Sequence, residues 1–256
     1  SVLRILRHDM PYENYIFFGD SLHAPYGDRT EAQIRALSDQ NVQFLLSKGC
    51  KAIVIACNTA TSAAADWLRA KYPSLIIIGM EPAVKSAVDH AEITHPRVLV
   101  LATASTIHGE RLHHLIGRFS EAAEIHPVAA PGIVPLIEAG KEHSEELLHY
   151  LQELLRPYRR FEDGGGGQLV DSVVLGCTHF PFAMESIERA LGYSFTFYDG
   201  AYGTARETKR RLQEAGLLNS STNPGTLELH SSIPGDTQIK LQQKLLQLPF
   251  RYAPEC

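Results

Sequence analysis

The sequence predicts an α/β fold with mainly parallel sheets, and three observations lead to that prediction. Short β-rich segments alternate with amphipathic helical segments along the chain. The strands are apolar without strict alternation, which is typical of strands covered on both faces. The chain has 256 residues, enough for one large domain or two small ones that bury a core. Parallel strands joined by right-handed helical crossovers agree with all three observations.

The predicted elements follow from apolar segments that end at turn residues. The six predicted strands are Tyr15–Phe18, Ala52–Ala56, Leu75–Gly79, Arg97–Leu101, Ser172–Leu175 and Phe195–Tyr198. Apolar residues at near-helical spacing form two sets, which are Ile107, Leu112, Leu115, Ile116 and Phe119, and then Leu147, Leu151, Leu154 and Leu155. The glycine run Gly164–Gly167 lacks the Lys-Ser/Thr of a P-loop and the spacing of a dinucleotide fingerprint, so it predicts a flexible loop. Ser220–Pro224 predicts another, polar loop.

The composition is that of an ordinary globular protein. Hydrophobic residues make up 44% and charged residues 21%, which excludes a disordered chain. A formal charge of −5 gives no general reason to bind nucleic acid or an anionic membrane, and no apolar run approaches the roughly 20 residues that span a bilayer. No signal peptide is visible, and four cysteines do not form a disulfide framework in a chain of this length. We therefore expect a cytoplasmic protein.

The most informative motif joins an apolar strand to a helix through a cysteine. Cys57 follows the second predicted strand, and Asn58 and Thr59 are residue types that cap helices. In open α/β sheets ligands bind outside the carboxyl ends of strands, and helix N-termini favour anions and reactive thiols. The motif therefore suits a reactive thiol beside a carboxylate site, or a buried small cysteine before an ordinary cap.

The same design appears again at Cys177, after the fifth predicted strand. Gly176 would let the backbone approach a ligand closely, and Pro181 suits the first turn of a helix over about Phe182–Leu191. His179 is near enough in sequence to exchange a proton in the same site, although a hydrogen-bonded structural histidine is the alternative. The repetition predicts two similar lobes that each bring one thiol to a shared cleft.

Two opposed acid–base groups are what stereoinversion at carbon requires. One group removes a proton from one face, and the other delivers a proton to the opposite face. Thiols suit this role because their pKa lies nearer neutrality than that of most side chains. A site that stabilises the carbanion electrostatically and excludes water needs no cofactor.

Two other functional interpretations of these cysteines have less support from the sequence. Zinc binding by Cys57, Cys177 and His179 is disfavoured, because no C-x-x-C pair or His partner stands at the usual spacing, and we expect no metal. A Cys-His hydrolase is the stronger rival, but it leaves one of the repeated cysteines without a role. Cys50, at a helix end, and Cys256, at the chain terminus, are expected to have no catalytic role.

Taken together, the motifs resemble the glutamate racemases of the aspartate/glutamate racemase superfamily over most of the chain. The segments that carry the likeness are Phe18-Gly19-Asp20-Ser21, His23-Ala24-Pro25-Tyr26-Gly27, Ala56-Cys57-Asn58-Thr59-Ala60, Gly79-Met80-Glu81-Pro82-Ala83, Leu101-Ala102-Thr103 with Ser105-Thr106, and Leu175-Gly176-Cys177-Thr178-His179-Phe180-Pro181. Each segment alone is a weak signal, and the combination in this order is specific.

The resemblance implies two Rossmann-like lobes with the active site in the cleft between them. We expect residues 1–80 plus 196–256 to form the first lobe and residues 81–195 the second. The resemblance further implies cofactor-independent interconversion of L- and D-glutamate, which supplies D-glutamate for peptidoglycan. A homodimer is the default expectation for a bacterial metabolic enzyme.

The resemblance also implies roles for individual residues. Cys57 and Cys177 resemble the two acid–base thiols, and His179 resembles the residue that assists Cys177. The implied substrate-binding set consists of Pro25, Tyr26, Gly27, Asn58, Thr59, Thr103, Thr106 and Thr178. The positions of Asn58, Thr59 and Thr178 at helix starts agree with it independently, because amides and hydroxyls there hold carboxylates.

Several of these residues also have ordinary structural interpretations. Thr103 and Thr106 fit a helix cap, and Tyr26 fits a loop aromatic packed on its domain. Glu138 resembles a glutamate near the family's site, but it also fits a solvated helix residue, so it is not included in the predicted site.

The sequence departs from the family at its start. Family members open with a strand followed by Asp-Ser-Gly-x-Gly, and this segment is missing before Ser1. Asp20-Ser21 corresponds to the family's second motif and does not replace it. We expect exposed sheet edges in the first lobe and weak or no activity for the chain as given.

Three functional hypotheses remain open. The leading one is a glutamate racemase, and its nearest variant is a racemase of aspartate or hydantoin type. A Cys-dependent hydrolase or decarboxylase of related fold would form a covalent acyl-thiol intermediate. A two-lobed binding protein without activity would bind its ligand even after thiol alkylation.

Overall fold

The protein divides into two compact units. The computed structural model describes residues 1–160 and 167–248, so Cys256 and most of the predicted glycine loop Gly164–Gly167 lie outside the described residues. Unit 1 contains Ser1–Glu81 and Gly200–Leu248, and unit 2 contains Pro82–Asp199. The chain therefore leaves unit 1 after Glu81 and returns to it at Gly200.

The helices and strands alternate along both units. In chain order they are α1 Val2–Asp9, β1 Tyr15–Gly19, α2 Glu31–Ser47, β2 Ala52–Val54, α3 Asn58–Lys71, β3 Ile76–Ile78, α4 Val84–Asp89, β4 Arg97–Ala102, α5 Ala104–His108, α6 Glu110–Gly117, β5 Glu124–Ala129, α7 Ile133–Glu138, α8 Glu145–Leu154, β6 Ser172–Leu175, α9 Met184–Leu191, β7 Thr196–Asp199, α10 Ala201–Glu214, β8 Leu227–Ser231 and α11 Thr237–Gln247. Short 3₁₀ turns at Ser21–His23, Tyr26–Asp28, Arg156–Tyr158 and Phe180–Ala183 connect them.

The four strands of unit 1 form two parallel pairs. β1 pairs with β8, and β2 pairs with β3, with Ile53 opposite Ile77. Ile53 and Ile77 pack with Val42 of α2 and with Ala64 and Leu68 of α3 in one buried cluster. This cluster fixes α3, and with it the residues at its N-terminus, against the β2–β3 pair.

Unit 2 is built on one four-stranded parallel sheet. Its strand order is β5-β4-β6-β7, so β4 and β6 are the inner strands. Four consecutive residues of β4, from Val98 to Leu101, have no exposed surface, which is typical of a strand covered on both faces. The parallel arrangement confirms the predicted α/β class.

Of the eight strands within residues 1–160 and 167–248, the sequence located six within a few residues of their bounds. It missed β5 and β8. Pro127 lies within β5, and proline within an apolar segment argues against a strand because it donates no ladder hydrogen bond. β5 tolerates Pro127 because it is an edge strand that pairs with β4 alone. The second passage between units falls after Asp199, because β7 pairs with β6 in the sheet of unit 2.

Two further features bear on the sequence expectations. None of the described helices is long and apolar enough to cross a membrane. Among the described residues, Cys50, Cys57 and Cys177 form no disulfide bond.

Candidate functional site

Cys57 stands between β2 and α3. Its backbone is extended, with φ −156° and ψ 120°, and its Sγ accepts a hydrogen bond from the Ala60 amide at 3.4 Å. The Cys57 carbonyl accepts a second bond from the Thr61 amide at 2.9 Å. Cys57 is thus the N-cap of a 14-residue helix. The partial positive charge at this end of the helix favours a sulfur that carries or acquires negative charge.

This geometry corrects the predicted cap. Asn58 and Thr59 are the first two residues of α3 rather than its caps, and both are buried. A thiol sulfur occupies the position that Ser, Thr, Asp or Asn usually takes. Because cysteine is not among the residue types preferred at helix N-caps, the sequence motif assigned the cap to Asn58 and Thr59 instead of Cys57.

Thr61 fixes the backbone on either side of this position. Its side chain is fully buried, and its Oγ1 accepts the Met80 amide at 3.1 Å and donates to the Ile55 carbonyl at 3.3 Å. Ile55 follows β2 and Met80 follows β3, so one hydroxyl connects the ends of both strands. The segment that carries Cys57 is therefore held from two sides.

The loop with Pro25, Tyr26 and Gly27 lies in the same unit. The turn Tyr26–Asp28 packs against α3, the helix that Cys57 caps. The Tyr26 hydroxyl donates to Asp20 Oδ2 at 2.6 Å, so this aromatic residue is anchored by hydrogen bonds as well as by packing. Burial and the neighbouring Asp20 carboxylate raise the pKa of Tyr26, so its hydroxyl keeps its proton at neutral pH.

Cys177 takes the corresponding position in unit 2, after β6. The Gly176 amide donates to the Leu101 carbonyl at 2.7 Å, and a Cβ on Gly176 would lie 2.8 Å from that oxygen. Gly176 is thus required by the close approach of β6 to β4, whereas the sequence interpretation assigned it to an approach by ligand. Pro181 lies in the 3₁₀ turn Phe180–Ala183, so α9 begins at Met184, two residues later than the predicted Phe182.

His179 connects Cys177 to Glu138. The His179 Nδ1 lies 3.9 Å from Cys177 Sγ, and Nε2 lies 2.7 Å from Glu138 Oε1. Burial by itself lowers the pKa of His179, but hydrogen bonds to Cys177 and Glu138 outweigh it and raise this pKa to about 9. At neutral pH His179 is an imidazolium whose two N–H groups face the thiol and the carboxylate.

Glu138 is a site residue that the sequence interpretation left out. It is the last residue of α7, and only 25% of its side chain is exposed. It is therefore not a solvated helix residue. Its partner is 41 residues away in the chain, so no local spacing could have revealed the contact.

Thr103 and Thr106 lie at the same edge of the unit 2 sheet as Cys177. Thr103 follows β4, Cys177 follows the adjacent β6, and Leu101 pairs with Leu175. Thr103 caps α5 by accepting the Thr106 amide at 3.3 Å, and the two hydroxyls lie 3.0 Å apart. The capping interpretation is therefore correct, and it places two hydroxyls at the carboxyl ends of the inner strands. Thr178 is half-buried in the turn after Cys177.

The structure thus gathers the predicted residues into two groups, one in each unit. Cys57, Asn58 and Thr59 lie at the start of α3, with the Pro25–Gly27 loop in the same unit. In unit 2, Thr103, Thr106, Cys177, Thr178 and His179 follow neighbouring strands. In the part of the chain that the structure describes, no group of three or more His, Cys, Asp and Glu side chains is arranged to hold a metal ion.

Comparison with known proteins gives consistent results. Residues 1–208 match the family described as Asp/Glu/Hydantoin racemase. The chain is 43% identical to a protein named glutamate racemase from Clostridium perfringens over 248 residues, which is 97% of this chain and 92% of the relative.

Solved structures are similar as well. A glutamate racemase from Thermus thermophilus, in complex with β-chloro-D-alanine, matches with a TM-score of 0.73 and 30% identity, over 95% of this chain and 87% of that one. Escherichia coli glutamate racemase, in complex with L-glutamate and the activator UDP-MurNAc-ala, matches with a TM-score of 0.79 and 28% identity, over 96% of this chain and 90% of that one.

Proposed function

The chain belongs to the Asp/Glu/hydantoin racemase family, and we propose that it interconverts L- and D-glutamate without a cofactor through the thiols of Cys57 and Cys177. It is an isomerase, as its family is. Glutamate as the substrate is supported by the relatives, because the Clostridium perfringens protein is a glutamate racemase and the Escherichia coli one was solved with L-glutamate. The observation that supports the two-thiol reaction is that each unit has a cysteine in the turn that follows a parallel strand, Cys57 after β2 and Cys177 after β6.

In the proposed reaction Cys57 exchanges a proton with one face of the α-carbon. The thiolate removes the α-proton and becomes a thiol, and in the reverse direction that thiol returns the proton. The amide of Ala60 and the positive end of α3 support the negatively charged sulfur. Fixed dipoles of this kind require no reorganisation during the reaction.

Cys177 acts on the opposite face. As Cys57 removes one proton, the Cys177 thiol donates its own to the α-carbon and becomes a thiolate. The His179 imidazolium supports that thiolate, because its Nδ1 faces the sulfur. Glu138 holds the ring by its Nε2, so that the proton on Nδ1 points toward Cys177. Loss of one proton from Cys57 to water and gain of one proton by Cys177 from water then restore the starting state, with His179 again protonated.

The substrate-binding set provides donors for the glutamate carboxylates. Asn58 and Thr59 lie at the start of α3, where backbone amides and side chains favour anions. Thr103, Thr106 and Thr178 add hydroxyls in unit 2. The Pro25–Gly27 loop adds backbone groups in unit 1. These groups bind glutamate and stabilise the carbanion in the proposed site.

The proposal also covers the metabolic role, the cellular compartment and the oligomeric state of the enzyme. The D-glutamate product is supplied to peptidoglycan synthesis. The proposed reaction needs both thiols in the reduced form, which requires a reducing compartment and favours the cytoplasm. We further propose a homodimer, which sedimentation of the purified protein would test.

The test uses circular dichroism to follow racemisation of each enantiomer, together with α-proton exchange in heavy water. Cys57→Ser and Cys177→Ser should each suppress racemisation by at least about a hundredfold. Cys50→Ser is the matched control, because Cys50 is a free, half-buried thiol in unit 1 outside the site. Racemisation at the parent rate by the double Cys57→Ser, Cys177→Ser variant would refute the two-thiol mechanism. A covalent acyl-thiol adduct in mass spectra would indicate the hydrolase instead.

A further inference from the structure

A polar cluster beside the Pro25–Gly27 loop takes no part in the proposed proton transfers. At its centre is Asp20, whose side chain is only 8% exposed. Asp20 Oδ2 accepts the Tyr26 hydroxyl at 2.6 Å, and Oδ1 is 2.7 Å from His23 Nδ1. The Asn41 side-chain amide donates to the Tyr26 oxygen at 3.2 Å. One carboxylate, in the residue after β1, thus contacts both Tyr26 within the loop and His23 just before it.

The directions of these bonds determine what Tyr26 can do. A tyrosine hydroxyl has one proton, and in Tyr26 that proton is given to Asp20. Asn41 donates to the same oxygen and occupies one of its lone pairs. The Tyr26 hydroxyl therefore anchors the loop, and its proton is not offered to a ligand.

The acceptor of this bond is a charged carboxylate. Burial raises the pKa of Asp20, but hydrogen bonds from Tyr26, His23 and Ser232 outweigh burial and hold this pKa below its usual value. Hydrogen bonds to charged groups are roughly twice as strong as neutral ones.

We propose that Asp20 is a positioning residue, which acts through the Tyr26 hydroxyl to hold the Pro25–Gly27 loop ordered against the helix that Cys57 caps. The proposal rests on the proposed function, in which this loop binds glutamate. If the loop is already ordered before glutamate binds, binding does not incur the entropic cost of ordering it. Loss of Asp20 should therefore weaken substrate binding and raise KM, and it should leave the rate of proton transfer little changed.

A second pair in unit 1 provides a matched control. Asp39 Oδ1 accepts the Tyr72 hydroxyl at 2.7 Å, and Oδ2 accepts Lys71 Nζ at 2.7 Å. This pair has the same Tyr–Asp chemistry and a carboxylate pKa that is also lowered, although burial again acts in the opposite direction. It joins α2 to the C-terminal end of α3, away from Cys57.

The experiment compares Asp20→Asn, Tyr26→Phe and the double variant with Asp39→Asn and Tyr72→Phe. Without substrate, backbone amide hydrogen exchange in the peptide covering residues 23–29 should be faster than in the parent protein for Asp20→Asn, Tyr26→Phe and the double variant. The two control variants should exchange at the parent rate. KM for glutamate should rise about tenfold in Asp20→Asn, while kcat stays within about twofold. The double variant should resemble Tyr26→Phe alone, because Asp20 acts through that hydroxyl.

The outcomes separate the two proposals. Unchanged exchange in Asp20→Asn, or independent and multiplicative effects of Asp20→Asn and Tyr26→Phe on KM, would overturn the positioning role. A fall in kcat with KM unchanged would overturn it as well. If the parent protein exchanges no α-proton of glutamate, the proposed function fails, and the exchange of residues 23–29 still decides whether Asp20 orders the loop.

Discussion

Glu138 accepts a hydrogen bond from His179 at 2.7 Å, although the two residues are 41 positions apart. The bond joins the end of α7 to the turn after β6. It leaves the opposite ring nitrogen, Nδ1, facing the sulfur of Cys177. Glu138 therefore orients the imidazole that serves one of the two proposed catalytic thiols, and together with Cys177 it outweighs burial and raises the pKa of that ring.

Replacing this carboxylate should reduce racemisation. We expect Glu138→Gln to lower kcat/KM by about tenfold to a hundredfold, because an unanchored, less basic imidazole supports the Cys177 thiolate poorly. The loss should be equal for both enantiomers, since they have equal free energy and share one transition state. Glu185→Gln is the matched control, because Glu185 faces His143 at 3.5 Å in an exposed pair of the same unit. Retention of parent kcat/KM by Glu138→Gln would contradict the role.

The same pair predicts how stability depends on pH. The pKa of His179 is about 9 in the folded protein and 6.5 for the free group, so the protonated ring stabilises the fold. This contribution is fully present below pH 6.5 and is lost as the pH rises through 9. Glu138→Gln should therefore lower the free energy of unfolding by about 1.5–3 kcal/mol at pH 6 and by much less at pH 9.5. Urea denaturation at both pH values measures the difference, and an equal loss at both would disprove the coupling.

Sequence patterns predicted the features that depend on neighbours along the chain. Strand β6 and the cysteine after it follow from an apolar segment that ends at Gly176, and the α/β class follows from alternation. The contact of Glu138 with His179 was missed because it depends on packing between distant elements. Strand β5 was missed for a different reason. Pro127 disfavours a strand locally, and only its edge position in the sheet makes it acceptable.

Cys57 has a structural role as well as its proposed chemical one, and the two can be separated. Its sulfur caps α3 through the Ala60 amide. Cys57→Ser should abolish racemisation but keep or raise the free energy of unfolding, because serine is a strong cap. Cys57→Ala should abolish racemisation and also lower the free energy of unfolding by about 1 kcal/mol. Thermal unfolding of both variants is the measurement, and equal stability of the two would contradict capping by the Cys57 side chain.

Gly176 should be intolerant of even the smallest side chain. A Cβ at this position would lie 2.8 Å from the Leu101 carbonyl oxygen and 2.9 Å from the Ala102 Cβ, both in the buried strand β4. Gly176→Ala should therefore lower the free energy of unfolding by about 1–3 kcal/mol, and it should reduce racemisation because Cys177 is the next residue. Gly117→Ala is the matched control, since nothing lies within 4 Å of a Cβ there and alanine favours the helix. Urea denaturation and the racemisation assay on both variants test this. Parent stability in Gly176→Ala would show that β4 and β6 can separate without cost.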